Sequence, residues 1–190
     1  MVVNPDYMDP KNLLDISKLY NKNDPKNIML NSILQDKVFN LLSNKVSNSI
    51  FSSKFDPCKY RYSIASCKEL DSFFYGVYFD SLVKNILSIK KYNIIYGLRK
   101  FQSSDFTLLH DSGSSDVDGI DFIMDLSKTS DRNGGYINYV NPKGELLHIV
   151  TKPNSLSFVK RDKGSLYYVK YINHKQFDPI ILIFGTIVKS

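Results

Sequence analysis

Apolar residues recur along this chain in two rhythms. In the first half they fall mostly at helical spacing. Leu13, Leu14, Ile16 and Leu19 form a cluster that suits one short helix or strand. Leu34, Val38, Leu41, Leu42 and Val46 make one face of a helix starting near Ile33, with Asn31 and Ser32 as candidate caps. Asp36 near its start and Lys45 near its end match the helix dipole. Leu70, Phe73, Phe74, Val77 and Tyr78 continue at helical spacing after Ser66 or Ser72. Asp80-Ser81 can cap a further turn carrying Leu82, Val83, Ile86 and Leu87. Two strands interrupt this region. One is at Ile28-Met29-Leu30; the other is an edge strand at Tyr60 to Ile64, after a connection around Asp56-Pro57.

From Tyr92 the period becomes two. Tyr92, Ile94 and Tyr96 alternate, and Phe106 to Leu109 is strand-like. Ile120, Phe122, Met124 and Leu126 share one face, with Asp121 and Asp125 on the other. Asp131-Arg132-Asn133-Gly134-Gly135 and Asn141-Pro142-Lys143-Gly144 are turns. Strands are predicted at Tyr136–Val140, Leu146–Val150, Ser155–Val159, Leu166–Ile172 and Ile180–Val188. About seven or eight short strands with closely spaced turns predict a sandwich or closed barrel. The fold class is α+β, mainly β, with helices buttressing one face. Nothing in the sequence divides residues 1–190, so one domain is expected: helical support with edge strands over 1–90, and a β core over 91–190.

Charge and composition narrow the chemistry. The formal net charge is +6 and the pI about 9.1, so nucleic acid, the ribosome or acidic partners are open as partners. No basic run is dense, and a lysine-rich solvated surface accounts for the same charge. Tyr167, Tyr168 and Tyr171, with Lys163 and Lys170, make a basic aromatic strand. Such a strand can stack bases or grip a peptide, or simply alternate between the two faces of a sheet. Cys58 and Cys67 fit no common zinc spacing and are expected as free thiols. The opening ten residues have no basic stretch followed by an apolar one, and no apolar run reaches membrane-spanning length. The expectation is a cytoplasmic protein without a membrane association. No phosphate loop or nucleophile elbow is present. Asp111, Asp116, Asp118 and Asp121 form an acidic loop that lacks the full calcium-loop pattern and is expected to be solvated.

Three local features carry a family resemblance. Leu108-Leu109-His110-Asp111 resembles a strand end that delivers a metal-binding His. Ile120 to Leu126, then Asp131 to Ile137, resembles the hydrophobic strand and Gly-Gly strand entry that follow it. Lys152-Pro153-Asn154-Ser155-Leu156-Ser157-Phe158 resembles the turn and strand ahead of a second metal His. Together, over about residues 90–187, they resemble the prolyl-hydroxylase-like iron(II)/2-oxoglutarate dioxygenases. The resemblance implies a double-stranded β-helix, or jelly-roll, barrel.

It also implies iron(II) held by two His and one carboxylate, and a cation, usually Arg, pairing with the far carboxylate of 2-oxoglutarate. His110 matches the first ligand. Ser112 stands where the carboxylate is expected. Asp111 points to the opposite face of an extended chain, although a bulge or turn can bring it or Asp116 inward. Tyr167 stands at the second His position; His174 lies further on, and His148 falls within a sheet strand. The last strand opens Asp178-Pro179-Ile180 without a cation, and Lys175 is the nearest candidate. The resemblance is therefore to a degenerate member. Two functions follow: a non-catalytic module binding a protein, a peptide or a nucleic-acid-associated partner, or an active protein hydroxylase that uses iron(II) and 2-oxoglutarate through atypical ligands.

Overall fold

The computed structural model describes residues 3–109 and 119–189. Among the described residues four α-helices, α1 (Pro10–Lys22), α2 (Asp36–Ser47), α3 (Asp71–Phe74) and α4 (Val77–Ile86), lie in the first half. The strands are β1 (Asn27–Leu30), β2 (Ser52–Asp56), β3 (Tyr60–Ala65), β4 (Tyr92–Phe101), β5 (Phe106–Thr107), β6 (Gly119–Asp125), β7 (Ile137–Val140), β8 (Leu146–Ile149), β9 (Ser155–Arg161), β10 (Leu166–Val169) and β11 (Ile180–Lys189). Among the described residues they form an eight-stranded sheet, ordered β1-β9-β6-β11-β4-β3-β2 with β5 on β3, and a three-stranded sheet, β10-β7-β8. All pairings are antiparallel. This is a jelly roll, a mainly β architecture with its helices on one side.

The two-residue period of the strands sorts the core into two layers. Phe122 and Met124 of β6, Leu156 and Phe158 of β9, and Ile181 and Ile183 of β11 face the helices. There they meet Phe73, Phe74, Phe79, Leu82 and Ile86. The alternate residues Ile123, Val159, Ile180, Leu182 and Phe184 face the small sheet and meet Ile137, Ile149 and Val169. Strands β6, β9 and β11 are thus buried on both faces. Asp121 and Asp125, on the other face of β6 from its apolar residues, are buried as well, 6% and 0% exposed.

Other boundaries also move. The second helix starts at Asp36, with Gln35 rather than Asn31 or Ser32 before it. Asp80 and Ser81 lie inside α4, which Gly76 precedes. Residues 52–56 are a strand, so β3 is flanked by β2 and β4, and β2 takes the edge. Asp121 lies in β6 instead of a solvated loop. Cys58 and Cys67 are free thiols. No helix among the described residues is long and apolar enough to cross a membrane.

Candidate functional site

The inward face of the large sheet is apolar at one end and polar at the other. Ile180, Leu182, Phe101 and Ile137 fill the apolar end. Towards the other end, β4 contributes Arg99, β6 Asp121, β9 Arg161 and β11 Thr186, while the small sheet contributes Tyr139 and Tyr167. A cavity of about 390 Å³ opens here, lined by Arg99, Asp121, Tyr139, Tyr167, Phe184 and Thr186 among others. Its volume suits a small molecule or one or two side chains of a partner.

Two arrangements of charge meet in the cavity. Asp121 is held by Arg161 Nε at 3.2 Å and by the Thr186 hydroxyl, which donates to it at 2.8 Å. The Tyr139 phenol lies close to this carboxylate. Burial pushes the Asp121 carboxyl above its usual range, and Arg161 pulls the other way. Burial, and then the nearby Asp121, push the Tyr139 phenol well up, so it stays protonated. This group is a closed, internally compensated ion pair.

Arg99 is compensated differently. Its Nη1 donates to the Tyr167 hydroxyl at 2.9 Å. Its guanidinium carbon lies 4.7 Å from the Phe184 ring centre and 5.1 Å from that of Tyr62. Tyr167 is 4% exposed, stacked on Phe184 at 5.9 Å and tilted against Tyr139 at 5.6 Å. Among the described residues Arg99 has no carboxylate partner. A guanidinium held only by phenol and ring faces keeps donors available for a ligand.

A second polar cluster sits at the far end of β6. Arg132 pairs with Asp125, which also accepts from the Thr151 hydroxyl at 2.7 Å. Ser127 accepts from Arg132 at 3.2 Å and also from the Ile181 amide at 2.9 Å. These bonds join the 125–132 turn to β11.

The residues singled out in the sequence do not all gather in the cavity. His110, Asp111, Ser112 and Asp116 lie outside the described residues. Tyr167 lines the cavity, whereas Tyr168 is half-buried and Tyr171 exposed. Lys175 is exposed in the turn before β11, its amide bonded to the Asn173 side chain. Ile180, at the start of the last strand where the cation is expected, is completely buried among apolar side chains. His148 is exposed on β8, 2.7 Å from the Asn138 side chain, and His174 is exposed.

The sequence reading missed Arg99, Tyr139, Arg161 and Thr186 as site residues. Their one signal was a charged or hydroxyl residue at alternate positions of apolar strands. Among the described residues, no group of three or more His, Cys, Asp or Glu side chains could hold a metal. The cavity's described donors fit iron(II) poorly: its carboxylate is committed to Arg161, and the Tyr167 phenol is already bonded to a guanidinium.

No family model matches the chain. Over 90 residues it is 32% identical to mouse prolyl 3-hydroxylase OGFOD1, covering 43% of this chain and 15% of that protein. The Xenopus laevis protein of the same name is 34% identical over 86 residues, covering 41% of this chain and 16% of that protein. The chain thus spans less than a fifth of the length of these curated relatives. A Pseudomonas putida prolyl-4-hydroxylase superposes with a TM-score of 0.69 at 9% identity, covering 92% of this chain and 99% of that one. A Trichoplax adhaerens prolyl hydroxylase, solved with a peptide fragment of the hypoxia inducible factor oxygen degradation domain, gives 0.67 at 14% identity. That superposition covers 97% of this chain and 96% of the other. Shape over nearly the whole chain and sequence over part of it agree: the chain has the fold of the prolyl-hydroxylase-like 2-oxoglutarate oxygenases, and part of it is similar in sequence to prolyl 3-hydroxylases.

Proposed function

We propose that this chain is a binding module built on the prolyl-hydroxylase fold, a pseudoenzyme whose barrel mouth engages a protein or peptide. The observation that carries this reading is the pair Arg99–Tyr167. Tyr167 stands at the expected second metal-His position, and its oxygen is bonded to a guanidinium. A fixed positive charge there opposes a divalent cation, and a guanidinium offers no lone pair to ligate one. Further support comes from β11. The start of the last strand, where a cation for 2-oxoglutarate is expected, carries none, and Ile180 there packs among Phe101, Leu182 and other apolar side chains. An anionic cosubstrate carboxylate gains nothing from that lining.

The test is anaerobic reconstitution of the purified chain with iron(II), followed by metal analysis and assay of succinate from 2-oxoglutarate. The expected result is substoichiometric iron and no succinate above the protein-free rate. One equivalent of iron together with succinate formation overturns the reading in favour of an active hydroxylase with atypical ligands.

A further inference from the structure

Strand β4 is paired on both sides over only part of its length. It pairs with β11 from Tyr92 to Phe101, whereas β3 reaches only Leu98, Arg99 and Lys100. On the β3 side, no described strand pairs with Tyr92 to Gly97. A bare edge is a template for another extended chain. The inward-facing residues along this edge are Ile95, 71% exposed, then Gly97, then Arg99 inside the cavity. A side chain added at Gly97 would meet nothing within 4 Å, so the space above it is open. The edge therefore leads past an exposed apolar residue and an open gap to a guanidinium that lacks a carboxylate partner among the described residues.

Resting on the binding-module reading, we propose that this edge docks an extended acidic peptide, which adds a strand beside Tyr92–Gly97 and delivers a Glu or Asp side chain over Gly97 to Arg99. The backbone supplies the ladder, at the usual strand spacing of about 4.8 Å. The planar carboxylate takes the free donors of Arg99 and gives the site its selectivity. Lys90 and Lys91, at the start of the edge, add attraction for an acidic segment. The Asp121–Arg161 pair stays out of the exchange because each charge already has its partner.

The experiment pans the full chain against random octapeptide libraries that differ only in a fixed central residue: Glu, Asp or Gln. Enrichment is expected from the Glu and Asp libraries. The best binder should weaken about tenfold or more when its acid becomes the amide, or when the protein carries Arg99→Leu. Gly97→Phe fills the open space without a backbone clash and should abolish binding while leaving the melting temperature near wild type. N-methylation of alternate peptide amides should abolish it too. Equal enrichment of the Gln library, or binding that survives Gly97→Phe, overturns the proposal. So does free glutarate binding as tightly as the peptide, which would assign the cavity to a small carboxylate. A chain without succinate formation that enriches no acidic peptide loses this docking site but keeps the binding-module reading; succinate formation removes the reading itself.

Discussion

Single residues carry long-range ties here. Asn154 adopts a left-handed backbone, with φ at 61°. Its side chain accepts from the Leu34 amide at 2.9 Å and donates to the Leu34 carbonyl at 2.8 Å. It thereby imitates a strand partner for a segment 120 residues away in sequence. Asn154→Gly keeps the backbone but orphans both buried groups, and should cost about 1–3 kcal/mol by urea denaturation. Asn154→Ala should cost more, because a Cβ in the left-handed region adds about 1–2 kcal/mol. Arg161→Met leaves Asp121 buried without its cation and should cost about 3–5 kcal/mol. Asn154 was readable as part of a turn, but its partner was not, because a hydrogen bond between residues 34 and 154 leaves no mark on local pattern. Arg161 and Asp121 were visible only as charges in apolar strands. Their pairing depends on a β6–β9 register that no local spacing dictates.

At the scale of elements, the two-residue period located most of the strands, and the helical period located α2 and the helices after residue 70. The errors fall where local pattern is ambiguous. Strand β2 has five residues, Ser-Ser-Lys-Phe-Asp, four of them exposed, so no apolar alternation announces it. Strand β5 is only two residues long. Helices α3 and α4 are fastened to β4 by phenols: Tyr96 donates to Asp71, and Tyr92 donates to Asp80 at 3.1 Å. Burial, and then the facing carboxylate, push both phenols well above their usual range. A phenol raised in the folded state contributes stability that is fully present below the unfolded value near 10. That contribution is lost as pH rises through the folded value. Stability should therefore fall steeply above about pH 10. The double variant Tyr92→Phe, Tyr96→Phe should start less stable and show a shallower alkaline decline, followed by circular dichroism.

At the scale of the molecule, the large sheet is a wall with a helical layer on one side and the small sheet on the other. The N-terminal segment closes this wall. Strand β1 pairs with β9 from Asn27↔Val159 to Leu30↔Leu156 and covers what would otherwise be its edge. Removing residues 1–35 exposes the ladder groups of an apolar strand, Ser155–Arg161. The truncated chain should aggregate, seen as early elution and scattering in size-exclusion chromatography, while the full chain does not. The architecture was legible in the sequence because strand number, turn spacing and helix placement are all local signals. The cavity was not, because it is assembled from scattered positions on five strands.

The apolar packing beneath that cavity also sets a mutational constraint. Ile180, Leu182, Phe184 and Phe101 interlock with the small sheet, so each is held by the others. Emptying this floor one residue at a time passes through cavity-bearing intermediates, each typically losing about 2–5 kcal/mol. Single substitutions therefore retune the cavity cheaply only at its polar rim, and a deeper cavity needs several concerted changes.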